Sequence, residues 1–138
     1  MGKHVLLIED EPNITEAIRF ILTRDGWQVT TLGDGAPAVD RVRTVRPDVL
    51  VLDVMLPGRS GFEILAELRA DPEWAGLPVL VLTARGQDRE REAVLKAGAD
   101  GFLPKRFAND ELLAAVRGLA GAAARRGGLP RAGGAEGA

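Results

Sequence analysis

The sequence predicts an α/β fold: a doubly wound, parallel five-stranded sheet with helices on both faces. Five short apolar runs alternate along the chain with five longer segments whose apolar residues recur at helical spacing, and this strict alternation is typical of a parallel sheet. The run at residues 49–52 is continuously apolar and partly β-branched, as expected for a strand buried on both faces. At 138 residues the chain is long enough for one domain to bury a core without disulfides or metals.

Turn and capping residues set the predicted limits of these elements. Pro12 suits the first turn of the first helix, where its missing N–H costs nothing, and Gly26 ends that helix. Pro47 ends the second helix, Ser60 caps the third and Asn109 is predicted to cap the fifth. The predicted strands are residues 5–8, 27–32, 49–52, 79–82 and 101–104, and the predicted helices begin near residues 12, 36, 61, 87 and 109.

The composition of the chain changes near residue 121. From there to residue 138 it consists mainly of Gly, Ala and Arg, with almost no large apolar residue. A segment of this kind has too little apolar surface to form a core. We therefore expect one folded domain over residues 1–120 and a disordered tail or linker over residues 121–138.

Composition and charge exclude several classes of protein. The chain has no cysteine, which rules out disulfides, zinc–thiolate sites and a thiol nucleophile. The apolar run near the start is too short for a signal peptide and no stretch is long enough to span a membrane, so we expect a cytoplasmic protein without membrane contact. The net charge of −2, with acids and bases well mixed, argues against direct nucleic-acid binding by the folded part. His4 is the only histidine, so a pair of catalytic histidines is impossible.

Polar side chains stand where four of the predicted strands end. Because the carboxyl ends of parallel strands meet at one edge of the sheet, where ligands bind in such folds, we expect these side chains to face one crevice. Competing motifs are weak, since Gly33-Asp34-Gly35 is only half of a dinucleotide fingerprint and no Gly-rich loop ends in Lys-Ser or Lys-Thr. The residues at the strand ends are Glu9, Asp10, Asp53, Thr83 and Lys105.

This set of side chains suits phosphoryl transfer. Three carboxylates in one crevice repel each other and either raise a pKa or bind a cation, and oxygen ligands favour Mg²⁺. A metal ion, an ammonium group and a hydroxyl can together stabilise the oxygens of a phosphoryl group, and an aspartate can act as the nucleophile. The residues therefore suggest transfer onto Asp53, whereas Asp53 taken by itself could be a helix cap or part of a loop ion pair.

The chain resembles the receiver domains of two-component response regulators over about residues 3–120. That family has a flavodoxin-like strand order, 2-1-3-4-5, and the resemblance implies the same order here. The motifs that carry the resemblance are Leu7-Ile8-Glu9-Asp10-Glu11-Pro12, Asp53-Val54-Met55-Leu56-Pro57-Gly58 with Gly61, Leu82-Thr83-Ala84, and Lys96-Ala97-Gly98-Ala99-Asp100 leading to Lys105.

The resemblance implies a role for each residue of the crevice. Asp53 would accept a phosphoryl group from a sensor histidine kinase or a phosphotransfer protein, so the domain would be a signalling phosphoacceptor and not an enzyme with a separate substrate. Asp10, Asp53 and the backbone carbonyl of Met55 would bind Mg²⁺ directly, and Glu9 would bind it through water. Lys105 would pair with the phosphate.

The resemblance also implies how the domain switches and what it contacts. Thr83 would bind a phosphoryl oxygen and draw its loop inward, and Phe102 matches an aromatic residue that moves between outward and inward positions. The face formed by the fourth helix, the fifth strand and the fifth helix would then control a downstream protein partner. Ile14 and Ala17 of the first helix are candidate contacts to the kinase, with ordinary packing as the alternative.

Two departures from the family pattern bear on partners. Arg106 stands where the family usually has a proline joined by a cis peptide. We expect a trans peptide that shifts Lys105, with a cis bond held by the site as the alternative. In either case Arg106 changes the docking surface beside the last helix. Gly101 and Ala115 replace an acid and an arginine common in DNA-binding members that dimerise, so we expect a monomer or a weak dimer.

The main functional hypothesis is a phosphorylatable switch with slow self-dephosphorylation. The alternative is a protein-interaction module that keeps the pocket but binds its partner whether or not phosphate is present. An unrelated aspartate-based phosphatase is a third hypothesis, and it would need a second acid near Asp53. Because the segment after residue 120 lacks the composition of a second folded domain, we expect a stand-alone receiver, with the N-terminal receiver of a longer regulator as the alternative.

Overall fold

The computed structural model of the protein describes residues 3–84 and 88–125. Five parallel strands form one sheet in the order β2-β1-β3-β4-β5, which confirms the predicted fold class and strand order. Within the described residues no helix is long and apolar enough to cross a membrane. The strands are β1 (His4–Ile8), β2 (Gln28–Leu32), β3 (Val49–Asp53), β4 (Val79–Thr83) and β5 (Gly101–Pro104). The helices are α1 (Pro12–Arg24), α2 (Ala38–Val45), α3 (Gly61–Ala70), α4 (Asp88–Lys96) and α5 (Asn109–Arg125).

The sheet is buried on both faces, as its continuous apolar strands require. Every residue of β3 and β4 is buried, whereas the edge strands β2 and β5 are mostly half-buried. Two hydrophobic clusters cover the two faces: one packs α2, α3 and α4 against the sheet, and the other packs α1 and α5. With both faces covered, the loops at the carboxyl ends of the strands are left to form a site.

The strand register brings the carboxyl ends to one level. β1 and β3 are paired up to Ile8 and Leu52, and β4 and β5 are paired up to Thr83 and Pro104. Asp53 lies one residue beyond Leu52. The polar residues that follow the strands therefore leave the sheet at a single edge.

The predicted helix caps agree with the structure at α3 and differ at α5. Ser60 forms a capping box, in which its hydroxyl accepts from the Glu63 N–H at 3.2 Å and the Glu63 carboxylate accepts from the Ser60 N–H at 3.1 Å. At α5 the predicted cap, Asn109, is the first helical residue instead. Ala108 precedes it, and its N–H donates to the Glu111 carboxylate at 2.7 Å, which supplies the backbone half of a capping box.

The last helix continues five residues past the predicted domain boundary at residue 120. α5 runs to residue 125, and residues 121–123 are half-buried, so this part of the predicted tail is helical. Alanine has the highest helix propensity, and residues 122–124 are all alanine. A helix already docked by Leu112 and Val116 can extend without further large apolar residues. The remainder of the predicted tail, residues 126–138, lies outside the described residues.

Gly118→Ala is expected to stabilise the fold. Gly118 lies on the exposed face of α5, and a Cβ added there would meet no atom within 4 Å. Alanine should therefore gain helix propensity without a clash. We expect the free energy of unfolding, measured in urea, to rise by about 0.5–1 kcal/mol.

Gly61→Ala is the matched variant with the opposite expectation. A Cβ at this buried first residue of α3 would lie 2.5 Å from the carbonyl oxygen of Asp53, so the backbone that carries Asp53 would have to move. The same urea measurement should show a loss of about 1–3 kcal/mol. Equal effects of the two alanine substitutions would contradict this description of α3 and α5.

Candidate functional site

Asp53 is a buried carboxylate at the end of the central strand β3. It is only 1% exposed, and both of its oxygens accept hydrogen bonds: Oδ1 from the Met55 N–H at 3.0 Å and Oδ2 from the Lys105 ammonium at 3.0 Å. An ionised carboxylate at this depth is stable only with such partners. Because Ser60 caps the following helix, Asp53 serves as an oriented anion and not as a helix cap.

Lys105 reaches Asp53 from the edge of the sheet. It follows β5 directly, and its backbone N–H donates to the Thr83 carbonyl at 2.8 Å, which fixes the start of the side chain. The side chain is 15% exposed, and its ammonium contacts Glu9 Oε2 at 3.2 Å and Glu11 Oε1 in addition to Asp53. One cation is thus shared among three carboxylates.

Two further carboxylates follow β1. Glu9 is 2% exposed, and its Oε2 accepts from the Glu11 N–H at 2.9 Å as well as from Lys105. Its Oε1 is buried and has no hydrogen-bond partner in the part of the chain that the structure describes. Asp10 is exposed. One carboxylate oxygen from each of Glu9, Asp10 and Asp53 lies within 4.8 Å of the other two.

This donor set fits a divalent cation. All of the converging atoms are oxygens, and Mg²⁺ typically binds a few protein oxygens and keeps several waters. The buried Oε1 of Glu9 has a lone pair that the described protein groups leave unused, and a buried polar atom of this kind normally has a partner. The three predicted side-chain ligands are therefore brought together. Met55 contacts Asp53 through its N–H, and the role of its carbonyl stays a prediction.

Burial raises the pKa values of the two buried carboxyls of the site, whereas hydrogen bonds set the direction of the shift for Lys105. Desolvation raises the pKa of Glu9 from 4.5 to about 7; the Glu11 N–H and Lys105 oppose this rise, and the nearby Asp53 charge adds to it. Burial also raises the pKa of Asp53, against the hydrogen bond from Lys105. For Lys105 burial alone would lower the pKa, but hydrogen bonds to Glu11 and Asp53 outweigh it and raise the pKa above its ordinary value. An acidic site of this kind favours a bound cation.

Thr83 lies on β4, which pairs with β3, and Phe102 lies on β5, one strand further from Asp53. Thr83 is the buried last residue of β4, and its carbonyl accepts from the Lys105 N–H. Phe102 lies in β5, half-buried against the core, and the Arg91 guanidinium lies 5.4 Å from the centre of its ring. Thr83 thus lies at the carboxyl ends of the strands, as predicted, and Phe102 contacts α4 through Arg91.

The residues predicted to contact partners differ in their exposure to solvent. Ala17 and Arg106 are exposed, whereas Ile14 is half-buried against the cluster that joins α1 and α5 to the sheet. None of the described peptide bonds is cis, so the bond between Lys105 and Arg106 is trans, as expected. Lys105 nevertheless reaches the site, where its backbone contact and its three carboxylate partners hold it, and the expected shift of Lys105 stays a prediction.

Sequence reasoning missed Glu11 as a residue of the site. From the sequence it is an acid at the start of α1, where negative charge is favourable for the helix. In the structure its side chain makes no capping hydrogen bond, and it pairs with Lys105, which is 94 residues away. Only the run of three acids at residues 9–11 hinted at this, and the contact itself depends on the tertiary fold.

Comparison with known proteins identifies related sequences. A family model described as the response regulator receiver domain matches residues 5–117. The chain is 47% identical over 130 residues to the transcriptional regulatory protein TcrA of Mycobacterium tuberculosis, an alignment that covers 94% of the chain and 49% of TcrA. The chain spans about half the length of the curated relatives it matches.

Solved structures share the fold. The receiver domain of Francisella response regulator 1452 superposes with a TM-score of 0.81 at 30% identity, covering 88% of this chain and 98% of that one. The BeF3-activated N-terminal receiver domain of Klebsiella pneumoniae RstA superposes with a TM-score of 0.80 at 28% identity, covering 86% and 98%. Both matches extend over almost the whole of the other domain.

Glu9→Gln should remove a pH dependence of stability. The pKa of Glu9 in the folded chain is about 7, above its ordinary value of 4.5, so the folded state binds this proton more tightly than the unfolded chain does. The resulting stabilisation is complete below the ordinary pKa and is lost as the pH rises through the folded pKa. Without divalent cations, wild type should lose about 2–3 kcal/mol relative to the variant between about pH 5 and pH 8.

Urea unfolding in the presence of a chelator measures this difference. Glu16→Gln is the control, because Glu16 is an exposed acid of α1 that pairs only with Arg19 at 3.7 Å among the described ion pairs. It should follow wild type across the pH range. A wild-type curve parallel to that of Glu9→Gln would contradict the raised pKa.

Proposed function

The chain belongs to the response regulator receiver domain family, and from that premise we propose that Asp53 accepts a phosphoryl group from the phosphohistidine of a sensor histidine kinase or a phosphotransfer protein. The observation that carries this proposal is the buried Asp53 carboxylate, held by Lys105 beside two further carboxylates. A nucleophile needs this kind of orientation. The ammonium also places positive charge where phosphoryl oxygens arrive.

In the proposed step an Asp53 carboxylate oxygen attacks the phosphorus of the phosphohistidine. A P–O bond forms to Asp53 while the P–N bond breaks, and the imidazole leaves with the electron pair of that bond and takes up a proton from solvent. Lys105 would then pair with the phosphoryl oxygens. The hydroxyl of Thr83 would donate to another of these oxygens and draw the loop after β4 towards Asp53.

Glu9, Asp10 and Asp53 would hold Mg²⁺, with the backbone carbonyl of Met55 as a further ligand. When bound, the ion supplies positive charge to the oxygens of the transferring group. The buried, unpartnered Oε1 of Glu9 and the close approach of the three carboxylates support this assignment. The activation of the related RstA receiver domain by BeF3 supports a site of the same kind here.

The output of the switch is assigned to the face formed by α4, β5 and α5. A groove of about 240 Å³ lies on this face, and its walls include the small residues Gly101, Ala115 and Gly118. From the family pattern, Gly101 and Ala115 stand where DNA-binding members that dimerise often have an acid and an arginine. The absence of charge at these two positions supports a monomer or a weak dimer. The groove gives a downstream protein partner room to dock.

The finer properties of the protein follow from the same proposal. We assign it to the cytoplasm, as a domain whose chemistry is limited to its own phosphorylation and slow self-dephosphorylation. The alternative is a module that binds its partner whether or not Asp53 is phosphorylated. The complete set of Asp53, Lys105 and the acidic residues favours the switch. The proposal applies equally to a stand-alone receiver and to the receiver of a longer regulator.

Intact mass after incubation with acetyl phosphate and Mg²⁺ tests the phosphoacceptor. Wild type should gain one phosphoryl group, and Asp53→Asn should gain none because an amide cannot act as the nucleophile. Asp40→Asn, which removes the same charge from an exposed acid of α2, should behave like wild type. Adduct on Asp53→Asn, or no adduct on wild type while Mg²⁺ binding is still detected by calorimetry, would refute the proposal.

Hydrogen exchange tests the switch separately from the chemistry. Beryllium fluoride with Mg²⁺ should change the exchange of backbone amides in α4 and β5, and leave α2, which contacts β1 and α3, unchanged. Thr83→Ala should keep the mass adduct but lose the exchange response, because its hydroxyl would connect Asp53 to the loop before α4. Unchanged exchange in a phosphorylated wild type would instead favour the module that ignores phosphate.

A further inference from the structure

The ammonium of Lys105 is fully occupied in this structure. A lysine ammonium has three N–H donors, and here three carboxylate oxygens lie around it: Asp53 Oδ2 at 3.0 Å, Glu9 Oε2 at 3.2 Å and Glu11 Oε1. A phosphoryl oxygen can therefore pair with Lys105 only if one carboxylate gives up its place. The proposed function requires that exchange, so the identity of the exchanged partner matters to the rate.

The three carboxylates differ in how easily they can leave. The side chains of Glu9 and Asp53 are 0% and 1% exposed, whereas that of Glu11 is 55% exposed. Glu9 and Asp53 would also hold the Mg²⁺ of the proposed function, and moving either carboxylate out of the crevice would leave an unpaired charge, which is costly. Glu11 can turn into water and regain hydration, so its departure is the least costly of the three.

Other contacts of Glu11 do not account for the direction of its side chain. It is the residue before α1, with extended backbone angles, and its carboxylate makes no hydrogen bond to the N–H groups of that helix. Its N–H donates to Glu9 at 2.9 Å, which brings its backbone close to the crevice. The side chain then extends to Lys105 and not to the helix start.

We propose that Glu11 is a positioning residue. Its carboxylate accepts a hydrogen bond from one N–H of the Lys105 ammonium, and the phosphoryl group later takes over that same N–H donor. This inference rests on the proposed function. Glu11 keeps Lys105 directed into the crevice before transfer and leaves when the phosphoryl group arrives. Because it must be displaced, it also slows the reaction.

Glu11→Gln tests this inference, because glutamine has the same reach but no charge. The variant should be phosphorylated by acetyl phosphate about two- to fivefold faster than wild type, the range expected for the loss of an exposed ion pair. Glu16→Gln removes the same charge one turn further along α1, from a side chain 69% exposed. It should leave the rate unchanged, which separates the contact from the net charge.

A second readout detects the contact without phosphorylation. The chain has three lysines, Lys3, Lys96 and Lys105, and competitive acetylation followed by mass spectrometry compares their amines in one sample. In Glu11→Gln the labelling of Lys105 relative to Lys96 should rise about two- to fivefold, because the ion pair that helps to hold the amine in the crevice, away from the reagent, is lost. In Glu16→Gln it should not change.

The outcomes are distinguishable. Faster labelling and faster phosphorylation in Glu11→Gln alone would support the proposal. Unchanged labelling would show that the contact has no strength in solution, and faster labelling with an unchanged rate of phosphorylation would show that Glu11 does not compete; either result overturns it. If wild type and all variants take up no phosphoryl group, the proposed function fails, and this inference fails with it.

Discussion

The interaction on which the site depends is the sharing of one ammonium group by the ends of two buried strands. Lys105 bonds to Asp53 and to Glu9, and either carboxylate would be too costly to leave ionised and unpaired at that depth. β4 lies between β3 and β5 in the sheet, so Lys105 must extend past the end of β4. The hydrogen bond from its N–H to the Thr83 carbonyl fixes the start of that extension.

The ammonium of Lys105 neutralises only part of the negative charge of the carboxylates around it, and the remaining negative charge makes the site suitable for a cation. Glu9, Asp10 and Asp53 approach one another within 4.8 Å, and burial raises the pKa of Glu9 to about 7. A fold optimised only for stability would satisfy or remove such groups. The excess of carboxylate oxygens instead leaves room for a cation. The arrangement therefore gives up some stability of the domain for a donor set that fits a divalent cation.

The sequence predicts the sheet, its helices and most of the residues brought together at the site. The predictions that differ from the structure have identifiable physical causes. Five apolar runs in alternation with helices are enough for the sheet, and Ser60 is a strong cap because Glu63 completes its capping box. α5 extends further than the change in composition indicates, because a docked helix extends readily through alanines, which have the highest helix propensity. Glu11 is missed for a different reason. From the sequence, the favourable position of an acid at the start of a helix is enough to explain why Glu11 is there. Only the fold shows that the Glu11 side chain contacts Lys105.

Arg106 stands next to Lys105, at the position where the family pattern has a proline. From the sequence, the loss of a proline next to Lys105 threatens the chemistry. In the structure Lys105 is fixed from two directions that do not involve the next residue: its own N–H bonds to Thr83, and its ammonium bonds to carboxylates from β3 and from the segment after β1. Arg106 is exposed beyond these contacts. Because none of these contacts involves the side chain at position 106, a change there leaves the contacts that hold Lys105 intact.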